Sequence, residues 1–110
     1  VIAVANLDAL KSALLGVTQK CYHFGPPQDV SGAYIVWAED GEAEMVWANN
    51  KRRMAAIAGT IDYFTKDQDD PNVRKIEEAL QSLRIGWRLN SVQFETDTRY
   101  IHYEWRWEMI

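Results

Sequence analysis

Apolar residues recur along this chain with two different periods. In NLDALKSALLG, Leu7, Leu10 and Leu14 fall at i, i+3 and i+7, and Val17 continues the line. That spacing is one stripe of an amphipathic helix. Asn6 stands where a cap is needed, and Gly16 where a left-handed residue could end the helix. The following KCYHFGPPQDVSG contains Pro26-Pro27 and glycines, and predicts an irregular loop.

The period then falls to two. AYIVWA and EMVWA are rich in β-branched and aromatic residues, and Asp40-Gly41 between them reads as a hairpin turn. Asn49-Asn50 makes a second turn. RMAAIAGTIDYFT reads as a third strand, with Ile57, Ile61 and Tyr63 on one side and Thr60 and Asp62 on the other. In DQDDPNVRKIEEALQSL the helical period returns: Val73, Ile76, Leu80 and Leu83 form the apolar stripe, Asp70 is a capping residue and Pro71 suits the first helical position. Two more strands follow. Ile85, Trp87 and Leu89 share one phase and Val92 and Phe94 the other, so a β-bulge is expected at Asn90-Ser91. After the turn ETDT, YIHYEWRWEM separates completely, with Ile101, Tyr103, Trp105, Trp107 and Met109 on one face and Tyr100, His102, Glu104, Arg106 and Glu108 on the other.

The order helix, three strands, helix, two strands predicts an α+β fold. It should be a mostly antiparallel sheet of about five strands with two main helices packed on it, and the connection through the second helix could make one pair parallel. A length of 110 residues fits a single domain over 1–110, with residues 1–5 processed or disordered. No apolar run reaches the ~18 residues that would suggest a membrane span.

Charge narrows the functional classes. The net charge is −4, whereas proteins that grip nucleic acid through phosphates are normally basic. The only basic cluster, Lys51-Arg52-Arg53, reads as a solvated turn. The single cysteine, Cys21, allows no internal disulfide and suits a reducing compartment.

Candidate chemistry is sparse. Cys21, His23 and His102 fall short of the four paired ligands of a structural zinc site. Asp67, Asp69 and Asp70 lack the longer oxygen pattern of a calcium loop and are explained by helix capping. No serine has a nucleophile-elbow context and no phosphate-binding loop is present. The chain is therefore expected to be no enzyme, with no cofactor, metal or catalytic residues. If it were a hydrolase after all, His102 would be the residue to change. The five tryptophans suggest an alternative, a small ligand- or peptide-binding module with an aromatic pocket lined by Trp87 and Trp105.

The succession YIVWAEDGEAEMVWANNKR, then IAGTIDYFTKDQDDPNVRKIEEALQSLRIGWRLNSVQFETDTRYIHYEWRWEM, resembles small tail-terminator or head–tail joining proteins of long-tailed bacteriophages and prophages. The likeness runs over residues 5–110. It implies a structural virion protein that assembles with itself as a ring, commonly a hexamer, at the tail end or the head–tail junction. The implied partners are tail-tube or head-completion proteins, with DNA only passing through the lumen and no membrane. The implied location is the host cytoplasm during assembly and then the virion. Ring or partner contacts are expected at Tyr22, His23 and Phe24 in the loop running to Gln28, at Asn49, Asn50, Lys51, Arg52 and Arg53, and at the polar row His102, Glu104 and Arg106.

Overall fold

A computed structural model describes residues 2–28, 30–42, 47–48, 51–52 and 57–109, with side chains described over 7–28, 30–42 and 57–109. Its elements run α1 (Ile2–Leu15), β1 (Cys21–His23), β2 (Tyr34–Glu42), β3 (Trp47–Ala48), β4 (Lys51–Arg52), β5 (Ile57–Thr65), α2 (Asn72–Leu83), β6 (Gly86–Phe94) and β7 (Ile101–Met109). Five strands form one sheet in the order β1-β2-β5-β7-β6, and β3 and β4 pair separately as a short antiparallel ribbon. The fold is α+β, and strands outweigh helices.

Strand alternation sorts the sheet into two faces. Ile35, Trp37, Ile61, Tyr63, Trp105, Trp107 and Met109 are buried against Leu10 and Leu14 of α1 and Ile76 and Leu80 of α2. Each of these side chains lies on the same side of its strand, so burying one commits its neighbours two residues away. Both helices therefore sit on one face. The opposite face carries the alternate residues of every strand and has no helix upon it among the described residues.

Pairing departs from the expected hairpin. β2 does not turn at Asp40-Gly41; it runs on to Glu42 and pairs antiparallel with β5. A bulge between Glu39 and Gly41 absorbs the Asp-Gly pair within the strand, with Gly41 at φ 152°. Gly41 supplies the φ there that side-chain-bearing residues rarely adopt. The parallel pair is also elsewhere than expected. It joins β2 to β1, a three-residue strand where only a loop was predicted. The connection through α2 instead carries the chain from β5 past β7 to the sheet edge, where β6 pairs with β7.

Helix ends differ in detail too. α1 starts at Ile2, so Asn6 lies inside it rather than at its cap. Gly16 does not adopt the left-handed conformation; the helix ends by tightening, with Val17 N–H donating to the Leu14 carbonyl at 3.0 Å. α2 ends at Arg84, which takes the left-handed conformation at φ 57°. At its start, Asp70 Oδ1 accepts the Asn72 N–H at 2.9 Å, as the capping residue type implies. Asp70 Oδ2 also accepts Tyr63 OH at 2.6 Å and Thr65 OH at 2.7 Å, tying the helix start to the end of β5.

Candidate functional site

The helix-free face of the sheet holds a grouping of polar and aromatic side chains. Register places Tyr34 of β2 opposite Phe64 of β5, and Phe64 opposite His102 of β7. Three rings in adjacent strands at one level can stack along the hydrogen-bonding direction, where strand spacing is about 4.8 Å. They do: Tyr34 and Phe64 centroids are 4.8 Å apart, and Phe64 and His102 4.3 Å. Tyr100 closes the end of the row edge-on to Tyr34 and Phe64, its hydroxyl donating to the Gly32 carbonyl at 2.8 Å. Lys66 Nζ stands 5.0 Å from the centre of the Tyr100 ring.

The expected polar row lies on the same face, but each member takes its partner from another part of the sheet. His102 Nε2 is 2.7 Å from Asp62 Oδ1 of β5, and Nδ1 is 3.5 Å from Glu95 Oε2. The hydrogen bond to Asp62 raises the His102 pKa; burial opposes it, and the Asp62, Glu95 and Glu104 charges reinforce it. Arg106 reaches Asp40 with two nitrogens, at 2.6 and 3.4 Å. Glu104 accepts from Asn90 Nδ2 at 3.4 Å. Bulges supply two of these partners: Asp40 and Asn90 are the extra residues at the irregularities of β2 and β6 and have no cross-strand partner of their own. An extra residue re-aims the side chain it carries. Here it turns one carboxylate and one amide toward β7.

The predicted loop site does not join this surface. Tyr22 lies opposite Val36 and so shares the helix-free face, but β2 and β5 separate it from β7. His23 lies opposite Trp37 on the other face, at the sheet margin. Its ring is stacked between Trp37 at 3.9 Å and Phe24 at 4.1 Å, and Nε2 is 2.6 Å from Glu39 Oε1. Phe24 is 66% exposed and holds φ 73°, fixed by its N–H donating to the Trp37 carbonyl at 2.8 Å. A non-glycine residue kept in that region is strained. Of the basic turn, Asn49, Asn50 and Arg53 lie outside the described residues, and Lys51 and Arg52 are described only as the backbone of β4.

The metal-like trio is not assembled. Cys21 and His23 occupy β1, whereas His102 lies on the far side of two strands and on the opposite face. Among the described residues no three His, Cys, Asp or Glu side chains are grouped to hold a metal ion. Burial pushes the Cys21 thiol up to about 11 against the pull of Lys11. Trp105 is fully buried, and its Nε1 donates to Glu77 Oε2 at 3.0 Å. It cannot line an accessible pocket with Trp87, which stands opposite Trp107.

No family model and no curated protein matches this chain.

Several members of the surface were not singled out from sequence: Tyr34, Asp40, Asp62, Phe64 and Glu95. Alternation placed Asp62 beside Thr60 on the outer side of its strand. The signal missing was register, which alone says that Asp62 and Phe64 meet His102.

Proposed function

We propose that this chain is a structural protein of a bacteriophage or prophage virion, assembling as a ring at the tail end or head–tail junction. The observation that carries the reading is the helix-free face: a surface of stacked rings and ion-paired side chains spread over β2, β5, β7 and β6. A broad polar surface of mutually paired side chains suits docking between proteins, whereas small-molecule sites are mostly apolar. Partly exposed ion pairs contribute only about 0–1 kcal/mol to folding, which leaves them free to serve recognition and register. The likeness in sequence pattern to tail-terminator and head–tail joining proteins supplies the class of partner, tail-tube or head-completion proteins.

Reversing the charges in Glu104→Arg/Arg106→Glu should leave the fold intact and abolish attachment to tails or necks, read by electron microscopy of assembled particles. Attachment of that variant at the wild-type level would remove the polar row as the docking surface. Genes for capsid, portal and tail tube should flank the coding sequence; their absence would overturn the assignment to a virion. A second reading, a module that binds a small aromatic ligand on the Tyr34–Phe64–His102 rings, predicts saturable tryptophan or tyrosine fluorescence changes with a metabolite or peptide panel.

A further inference from the structure

β6 is the last strand of the sheet and, among the described residues, pairs with β7 alone. Its nine residues, GWRLNSVQF, contain no proline, and the edge they leave unpaired is blunted only by the bulge and Arg88. Among the described residues, three of the four exposed large hydrophobic side chains lie on it: Leu89 at 43%, Val92 at 50% and Phe94 at 54% exposure. They stand opposite Trp105, Tyr103 and Ile101, so they belong to the helix-bearing face but lie beyond the cover of the helices. A free edge and an apolar strip thus coincide.

The bulge decides what fits there. Register puts Trp87, Leu89, Val92 and Phe94 on the helix-bearing face, and Gly86, Arg88, Ser91 and Gln93 on the other, with Asn90 the extra residue. Asn90 reaches Glu104 and Arg88, so it too lies on the helix-free face. The pattern is therefore symmetric about a point between Asn90 and Ser91. An antiparallel partner must match faces on both sides of the phase change. A second β6 does so in one register, with its two-fold axis at that point: Leu89 meets Val92, Trp87 meets Phe94, Arg88 meets Gln93 and Gly86 meets Glu95 of the other copy. Charge agrees with this register. Arg84 and Arg88 precede the axis and Glu95 and Asp97 follow it, so each Arg88 comes diagonally beside the other copy's Glu95, within the reach of long side chains.

We propose that β6 is a dimerisation edge: two copies of this chain pair their β6 strands antiparallel about a two-fold axis between Asn90 and Ser91. Such an isologous contact joins the two sheets into one and covers Leu89, Val92 and Phe94 with their own symmetry mates. It does not depend on the proposed virion role, since a ring requires a head-to-tail contact through different surfaces.

The test uses the full chain carrying Cys21→Ser, so that the native thiol is absent. Sedimentation should show a concentration-dependent dimer, and Val92→Lys should weaken it at least tenfold. Arg88→Glu should weaken it as well, and Arg88→Glu/Glu95→Arg should restore it, because the swap re-forms the contact across the axis. Two residues at position 91 would lie roughly 6 Å apart by strand spacing and rise. Ser91→Cys should therefore cross-link on mild oxidation, whereas Gln28→Cys, remote from β6, should not. A monomer throughout the soluble range, a dimer indifferent to both Val92→Lys and Arg88→Glu, or a charge swap without restoration would each overturn the proposal. Circular dichroism checks that each variant folds; should Val92→Lys unfold, the charge pair and the cross-link decide the matter. Binding of a strand from a different protein by a monomeric chain counts against it.

Discussion

Replacing Asp70 by alanine should be among the most damaging single changes away from the apolar core. Its carboxylate accepts three hydrogen bonds: from the Tyr63 and Thr65 hydroxyls on Oδ2 and from the Asn72 N–H on Oδ1. Tyr63 is fully buried and Thr65 is 2% exposed with the carboxylate in place, so both hydroxyls lose their acceptor within the fold when it goes. Each stranded donor costs about 1–2 kcal/mol. Loss of the contact at the helix start adds about 1 kcal/mol. The sum is ~3–5 kcal/mol, a large part of the 5–15 kcal/mol that holds a typical domain together. Tyr63→Phe alone should cost about 1–2 kcal/mol, and the double variant Tyr63→Phe/Asp70→Ala should cost less than the two together, because one stranded donor is removed with it. Urea unfolding followed by tryptophan fluorescence reads all three. A loss below about 1 kcal/mol in Asp70→Ala, or strict additivity in the double variant, would refute the reasoning. The same carboxylate gives a pH signature. Burial alone would raise its pKa, but the bonds from Tyr63, Thr65 and Asn72 outweigh burial and hold it below the usual 3.8. Its contribution is therefore complete above pH 3.8 and is lost as pH falls through the lower, folded value. Asp70→Asn should flatten the stability profile in that acidic window.

Three further outcomes follow from particular contacts. The Asp62 hydrogen bond raises the His102 pKa above 6.5, so its contribution is complete below pH 6.5 and is lost as pH rises through the folded value; His102→Gln should abolish that fall in melting temperature. Gly59→Ala should cost about 3 kcal/mol and lower the melting temperature by roughly 10 °C, because a Cβ there would collide with the Ala38 carbonyl oxygen and lie 2.6 Å from Trp107 Cζ2. With its pKa pushed up to about 11, the Cys21 thiol should react with a thiol reagent at pH 8 far more slowly in the folded chain than in urea.

The parts of the fold legible in sequence are those set by local periodicity. The two-residue alternation of 101–109 gave both faces of β7 correctly, because one face meets the helices and any slip would expose Trp105 and Trp107. The phase change at Asn90-Ser91 announced the bulge, and the capping chemistry at Asp70 located the start of α2 to within a residue or two. Strand partners were not legible. Asp-Gly fits a tight turn and a bulge equally well, since both need a backbone that glycine tolerates. What separates them is whether the next strand folds back or the same strand continues, and β2 continues to pair with β5 instead. β1 is only three residues long, and the prolines beyond it masked a strand that exists because β2 had a free edge. The candidate surface suffered most from this. His102, Glu104 and Arg106 were visible as a row, but their partners Asp62, Asn90 and Asp40 come from three other strands.

The strand order also dictates when the core can exist. β5 lies between β2 and β7, and β7 supplies Trp105, Trp107 and Met109 to the buried cluster. Its pairings with β5 join residues 36 (Thr65 and Ile101) to 52 (Ile57 and Met109) positions apart, and such distant contacts pay their loop-closure entropy before they return any stability. During synthesis, residues 34–65 would emerge with one edge of β5 unpaired and the apolar side of β2 and β5 incompletely covered. That interval ends only when residues 101–109 have cleared the ribosome. β2 and β5, with that edge of β5 still open, thus need protection while the protein is being made.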